Sequence, residues 1–548
     1  MSPDALNRSI VPRRTPLAAC LTLILAGGAV GAVPFASTAD AARHVDASTA
    51  TPAYRLRQQI RARLQRGDAA AAARESGFGV IAIPTGGAVL PVTSCADDGS
   101  PGTLRSVVAG AAEHDIIDMS QLTCSTITLV NGPIDSSMLG DNGLYYLTLQ
   151  GPGEDALTID GAGINQVFVG GGFSSDKGRL ELRDLTVANG NYPHGLAGCI
   201  EVFGGTLALD HVTVTDCSAS NGGPLTFGGA VDANNLYMTS STISDSSSAA
   251  TGDNVAIGGG AYATGDAMLI DSTISGNHVT ADIGVNGTYL SAGGGLYVRG
   301  DLTLVDSTID GNTVAAADGG RGGGVFTRGY ASISGSTVSG NQTDGAGGGL
   351  YKAIFSNYGD SFTTLTIRNS TFAGNSSGAD GGGVVSTRPT TVDNSTIAFN
   401  SAAGRGGGVT FADGGTGDST LDLESTVIAS NTAPSAADFS ASAVPTIDGA
   451  NNLVMDADPA VTLPADTLTS DPLLQPLAGN GGSTQTLALG DGSPAIDTGN
   501  NVAGLATDQR GDGFPRVVGA AADSGAFEVQ EQAPDDIIFM DGFDGASR

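Results

Sequence analysis

The chain has 548 residues, with 24 basic against 56 acidic side chains and a formal net charge of −32. That balance excludes the phosphate-neutralising surface of a nucleic-acid binder, so nucleic acid is not an expected partner. With 40% hydrophobic residues, 15% charged residues and 83 glycines, the composition fits a turn-rich folded chain and not a disordered one.

The N-terminus gives the compartment. Arg13 and Arg14 precede an apolar run over 17–33, and Ala39-Asp40-Ala41 supplies a small-x-small cleavage site, so residues 1–41 read as a secretory signal peptide. Leu17-Ala18-Ala19-Cys20 mimics a lipoprotein box, but its apolar run follows the cysteine instead of preceding it. Thr15-Pro16 after the arginine pair argues for the general export route over the twin-arginine one. No later stretch approaches the roughly 20 apolar residues needed to span a bilayer. The expected location is outside the cytoplasm, secreted or at the cell surface.

Residues 42–90 form a basic segment and linker. Leu56, Ile60 and Leu64 recur at i, i+4, i+8 among Arg55, Arg57, Arg61, Arg63, Arg66 and Arg74, which predicts a short amphipathic helix. Its readings are a contact with an anionic membrane, a spacer, or docking against the acidic body. Residues 93–134 then read as an N-terminal cap, with a small helix opening at Gly102-Thr103-Leu104-Arg105 and strands beginning near Ile127. With Cys20 removed, Cys95, Cys124, Cys199 and Cys217 remain, an even number that predicts disulfides in an exported chain. Sequence proximity favours Cys95 with Cys124 and Cys199 with Cys217, other pairings staying open. A metal site is disfavoured, because no CxxC spacing occurs and the histidines are scattered.

The middle of the chain is a repeat. Glycine triplets begin at Gly258, Gly293, Gly322, Gly347, Gly381 and Gly406, and each is followed downstream by a Ser-Thr-apolar step, the serines falling at Ser272, Ser307, Ser336, Ser370, Ser395 and Ser425. A period of about 25 to 35 residues marks a solenoid. Within the unit from Gly293 to Asn312, Leu296 and Val298, Leu302 and Leu304, then Ser307 and Ile309 alternate at period two, which predicts three short strands per coil. A chain that returns so quickly without helices stacks each strand on its counterpart one coil away. The expected fold is an all-β, right-handed parallel β-helix spanning 91–445, right-handed because parallel crossovers nearly always are. Its N-terminal helical segment and terminal caps shield the exposed sheet edges.

Asn277, Asn312, Asn341, Asn375, Asn400 and Asn431 close successive units. They read either as a hydrogen-bonded ladder along the axis or as residues that tolerate a left-handed turn. Asp310, Asp318, Arg321, Asp344, Asp380 and Arg405 lie near coil turns and read either as solvated turn positions or as candidates for a Ca²⁺-assisted lyase site; otherwise no cofactor is expected. After Tyr351 a longer loop carries Lys352, Phe355, Tyr358 and Phe362, which either fold onto the rod or mark the place to look for a ligand.

Residues 446–530 read as a C-terminal cap in which Asp497, Asp508, Arg510, Arg516 and Glu528 form a buried polar network. Residues 531–548 form an acidic, aromatic tail that suggests a sorting signal and, with it, a sorting machinery as partner.

Several of these segments resemble known families. Thr103-Leu104-Arg105, Asp115-Ile116-Ile117, Thr126-Ile127-Thr128-Leu129 and Leu157-Thr158-Ile159-Asp160 resemble the entry segment of bacterial surface β-helix proteins with a "CSLREA" start, although Ser106-Val107 replaces the usual acid and Ala. Asp471-Pro472-Leu473-Leu474, Asn480-Gly481-Gly482-Ser483-Thr484, Gly492-Ser493-Pro494-Ala495-Ile496-Asp497, Asp508-Gln509-Arg510-Gly511, Pro515-Arg516 and Gly525-Ala526-Phe527-Glu528 together resemble the choice-of-anchor Q domain. That resemblance implies an exported surface protein and no reaction. Gly228-Gly229-Ala230-Val231 and Thr371-Phe372-Ala373-Gly374-Asn375 are similar to polymorphic outer membrane protein repeats, found in autotransporter adhesins.

The same β-helix architecture also hosts pectate lyases and polygalacturonases, and fold alone cannot choose between display and chemistry. No Gly-His-Gly or Arg-Ile-Lys element occurs, and without tryptophan and with 5% aromatics sugar-stacking material is scarce. The expected function is a non-catalytic adhesion or interaction scaffold for a surface glycan or protein. The alternative is a lyase or glycoside hydrolase acting on acidic polysaccharide.

Overall fold

The computed structural model describes residues 87–136, 146–171, 178–220, 225–252, 254–282, 291–317, 319–353, 363–412, 420–441 and 446–530. The signal peptide, the basic segment, Asp318, Phe355, Tyr358, Phe362 and the tail lie outside them.

The described residues form a parallel β-solenoid with one short helix. In the coil from Gly293, Leu296–Val298 lies on face A, Leu302–Val305 on face B and Thr308–Asp310 on face C. Each pairs in parallel with its equivalents one coil away, as Leu296 does with Ala261 and Val325. A fourth short strand, Thr313–Ala316, follows the ladder asparagine and belongs to a separate 8-stranded sheet. The expected three strands per coil therefore gain a companion. Its Ser, Thr and Ala side chains carry too weak an apolar alternation to announce a strand.

Alternate residues point into the tube. Leu296, Val298, Leu304 and Ile309 are 0% exposed, and each fully buried aliphatic side chain contributes on the order of 2 kcal/mol. The interior row of face C runs Ile243, Ile274, Ile309, Val338, Phe372, Ile397 and Ile428, so like stacks on like.

Three corners turn the chain, and each uses a left-handed residue. Between faces B and C stand Asp271, Asp306, Gly335, Asn369 and Asn394; after face C stand Gly276, Gly311, Gly340 and Gly374; before face A stands the first glycine of each triplet, such as Gly293 at φ 67°. The other two triplet glycines make room. A Cβ on Gly294 would lie 2.1 Å from the Gly323 carbonyl oxygen, and one on Gly324 would lie 2.9 Å from the Asn341 side chain. Neither position admits a side chain without moving a coil.

The asparagines form a continuous amide chain along the axis. Asn277 Nδ2 donates to Asn312 Oδ1 at 3.0 Å, Asn312 to Asn341 at 3.0 Å, Asn341 to Asn375 at 2.9 Å, Asn375 to Asn400 at 2.8 Å and Asn400 to Asn431 at 2.9 Å. The left-handed residue is the one before each of them, so the turn does not explain the asparagine. The chain ends on Asp438, whose Oδ1 accepts both the side chain and the backbone N–H of Asn431. A parallel chain links serines at the preceding corner, where each backbone N–H donates to the Oγ one coil on, as Ser307 does to Ser336 at 3.1 Å.

At the N-terminal end the helix Leu104–Ala109, capped by Thr103, buries Leu104 and Val108. Arg105 clamps Asp97 at 2.8 Å and donates to the carbonyls of Gly132 and Pro133. Burial alone would raise the Asp97 carboxyl, but Arg105 and the N–H groups of Asn131 and Val130 hold it below the usual range. Disulfides join Cys95 to Cys124 and Cys199 to Cys217. Cys217 occupies the rung that Ser246 and then Asn277 occupy further on, so a covalent link stands where the amide ladder begins.

The far end departs from the expected boundary. Thr446–Ala450 and Leu453–Val454 still pair on faces B and C, so the solenoid passes residue 445. Ala457, Val461 and Leu463 then cover its open end. From about residue 471 the chain turns back and lies as a strap along the corner between faces B and C. Thr484 first reaches Gly335; the strap then returns to Asn451 at Thr498 and runs out again past Ser425 and Asn394 at Asn500 to Asn369 at Thr507. Most of the expected cap is therefore a lateral strap.

Candidate functional site

The cap candidates come together inside the strap. Arg516 is 1% exposed and donates to Glu528 Oε2, to the Gly525 carbonyl and to the Asp523 carbonyl, each at 2.9 Å. Arg510 grips Asp508 at 2.6 Å, lies 3.9 Å from the ring centres of both Phe514 and Phe527, and reaches the Glu528 carbonyl. Asp497 sits apart and accepts from the N–H groups of Ala520 and Ala521. These charges mainly hold the strap's own turns, and Arg516 also reaches Asn369 Oδ1 on the solenoid at 3.5 Å, a structural role.

Lys352 was expected beside a ligand loop, but it points into the tube and is 0% exposed. Its ammonium donates to the carbonyls of Arg328 and Gly329 at 2.5 Å each and to Thr363 Oγ1 at 3.1 Å. Period two explains the reversal: Tyr351 faces outward, so Lys352 faces inward.

The turn candidates do not converge. Arg405 N donates to Asp380 Oδ1 at 2.8 Å and Arg321 lies 4.9 Å from the Tyr351 ring centre, whereas Asp310 accepts from Ser339 Oγ at a different corner. Among the described residues no group of three or more His, Cys, Asp or Glu is arranged to hold a metal ion.

A different site emerges from register. The middle residue of each face A strand points outward, and pairing places Asp135, Val169, Glu201, Asp232, Tyr262, Tyr297, Phe326 and Tyr351 in one row. Its aromatic half is closed. Phe227, Tyr262, Tyr297, Phe326 and Tyr351 follow one another at centroid distances of 4.8, 5.4, 4.6 and 5.7 Å. Tyr262, Tyr297, Phe326 and Tyr351 are buried with Val255, Ile257, Ala292 and Ala353 in a second small core outside the tube, with Phe227 partly buried against it. Their ring faces are used on one another and offer no open platform to a sugar.

The acidic half is different. Glu201 and Asp232 occupy adjacent rungs, and neither is fully covered. Buried Gln166 donates to Glu201 Oε2 at 2.9 Å and to the Ala197 carbonyl at 3.0 Å, which fixes one carboxylate. Among the described residues no hydrogen bond or ion pair reaches the Asp232 carboxylate. Burial pushes Asp232 well above the usual carboxylate range, and the neighbouring Glu201 adds like charge. Burial also raises Glu201, opposed by the Gln166 hydrogen bond and reinforced by Asp135. On the next rung Tyr262 is hydrogen-bonded to Arg299. A carboxyl whose burial favours its neutral form, beside one held in place by Gln166, offers a hydroxyl-rich ligand both a donor and an acceptor.

Neither acid is prominent in the sequence. Only alignment of the coils by their Gly-Gly-x-apolar steps puts Asp232, Tyr262, Tyr297, Phe326 and Tyr351 in one column, and Glu201 follows no glycine triplet.

No family model and no curated protein matches the chain. Among solved structures, the crystal structure of pectate lyase Pel9A is similar at 12% identity and a TM-score of 0.34, over 82% of this chain and 98% of that one. A likeness at that level carries no argument about residues or reaction.

Proposed function

We propose that the chain is an exported, extracellular or cell-surface β-solenoid that acts as a non-catalytic interaction scaffold, and that it meets a glycan at the Glu201–Asp232 rungs of face A. The observation that carries this reading is the Asp232 carboxyl, which is desolvated and outward-facing and, among the described residues, makes no ion pair. Two disulfides support an oxidising compartment. The two amide and hydroxyl ladders support a stiff rod, because each coil is tied to the next by directional bonds as well as by strand pairing. The choice-of-anchor Q-like segment would then serve as the strap, and residues 531–548 as the sorting or attachment element.

The test is a glycan array probed with the whole protein and with D232N and E201Q. Selective binding by the wild type that falls at least tenfold in either variant supports the site; binding that the variants leave unchanged, or no binding by the wild type, overturns it.

One observation favours a second reading. Two outward carboxyls on adjacent rungs, one pushed well above the usual range by burial and the other held by Gln166, resemble the paired carboxyls that general acid catalysis on a glycosidic bond uses. Release of reducing ends or of unsaturated product from an acidic polysaccharide, abolished in D232N, would establish that enzyme. The same assay with chelator in place of added Ca²⁺ decides whether the cation takes part.

A further inference from the structure

An exposed aromatic ring stands beside the acid pair. Phe203 follows Glu201 by two residues on the same strand, about 6.7 Å along it, and so projects from the same outward side of face A. It is 49% exposed. Its neighbour on the preceding coil is Gly171, which carries no side chain to lay over the ring. The aromatics further along the row are buried against one another, whereas this one is placed to lie under the apolar face of a sugar.

The charge around this ring is of one sign. Glu201 and Asp232 are one rung apart, about 4.8 Å at strand spacing, and Asp135 lies two rungs behind Glu201 in the same row. The ionisable neighbour that acts on Asp232 is Glu201, and the one that acts on Glu201 is Asp135, acids in both cases. The Arg299 guanidinium is engaged by Tyr262 on the next rung. A uronate brought here would set a third carboxylate against two, which disfavours it unless a metal ion comes with it. A neutral sugar would leave the repulsion within the pair unrelieved. An ammonium relieves it, and donates up to three charge-assisted hydrogen bonds.

We propose that the ligand of this site is a glycan with free amino groups, one ammonium seated between Glu201 and Asp232 and an adjoining sugar ring laid on Phe203. The inference rests on the reading of the acid pair as a glycan contact and adds to it the class of sugar. The two parts of the site act differently. The carboxyls select the amine, and Phe203 holds a sugar ring whatever its nitrogen carries. N-acetylation removes the positive charge and leaves one N–H where the ammonium had three donors. The acetylated sugar therefore keeps the stacking contact and loses the ion pairs.

The test is calorimetric titration of the whole protein with a β-1,4-linked glucosamine hexamer, its fully N-acetylated counterpart, and a galacturonate hexamer with Ca²⁺. The amine form should bind about tenfold more tightly than the acetylated one. D232N and E201Q keep side-chain size, and each should erase most of that preference. F203A should weaken both forms by a similar factor. D155N, at an exposed acid on the turn between faces B and C, should change neither. Equal affinity for the two forms, or a preference that survives D232N, overturns the proposal. So does binding of the galacturonate or acetylated hexamer alone. If that binding is lost in D232N, the acid pair still meets a glycan and only the amine is wrong, whereas the absence of any glycan binding removes the underlying reading as well.

Discussion

Replacing Asn341 with alanine removes a middle rung of the amide ladder, and the structure sets the cost. The side chain is 0% exposed. Its Nδ2 donates to the Ile309 carbonyl at 2.9 Å and to Asn375 Oδ1 at 2.9 Å, while its Oδ1 accepts from Asn312 N and Asn312 Nδ2, both at 3.0 Å. Truncation leaves the Asn312 N–H without an acceptor in a buried corner, a penalty of about 1–3 kcal/mol. The other three groups each keep one bond and lose another, at a net cost of up to about 1 kcal/mol apiece. The sum is about 1–6 kcal/mol, less whatever a water entering the gap restores. Urea denaturation gives the global effect, and amide exchange at Asn312 gives the local one, which matters because coils couple mainly to their neighbours. Asn341→Gly is the decisive companion. If the position served only the turn, glycine would be neutral there. Because the left-handed residue is Gly340 at φ 62°, Asn341→Gly is expected to cost at least as much as Asn341→Ala. A loss under about 1 kcal/mol in both variants, with Asn312 exchange unchanged, refutes the reasoning.

Two further outcomes are expected. Burial pushes Glu528 up to about 6, against the pull of the Asp523 and Val518 N–H groups and of Arg516. The folded state therefore holds this proton more tightly than the unfolded one, and the stability contributed by Glu528 rises as pH falls from about 6 towards the unfolded value and is lost above it, a change on the order of 2 kcal/mol. E528Q should remove that window from a plot of Tm against pH, and an unchanged plot would count against the network. Replacing both Cys199 and Cys217 with serine opens a loop of sequence separation 18 and should cost about 3 kcal/mol by chain entropy. Equal denaturation midpoints with and without reductant would contradict this.

Much of the architecture is legible in the sequence because a solenoid repeats its local rules. The Ser-Thr-apolar step, the glycine triplet and the closing asparagine each mark one corner or strand, and every repetition strengthens the reading. The candidate site was not legible in the same way. Lys352 and its aromatic neighbours draw the eye as a cluster in the chain, yet strand alternation turns Lys352 inward onto carbonyls. Glu201 and Asp232 stand about 30 residues apart among unremarkable neighbours and meet only because adjacent coils bring them into register.

The sequence by itself determined a parallel β-solenoid, since only that fold satisfies a helix-free repeat with glycine, asparagine and aspartate at its corners. It also determined the ladder positions and the cysteines available to bridge. Only the tertiary structure decided that residues 471–530 run back along the flank and do not merely close the end. Only the tertiary structure decided that the outward aromatics bury one another. The physical reason is common to both. Local periodicity encodes which way a side chain points, but what lies opposite it one coil away, or arrives from 100 residues further along the chain, is set by register and long-range packing.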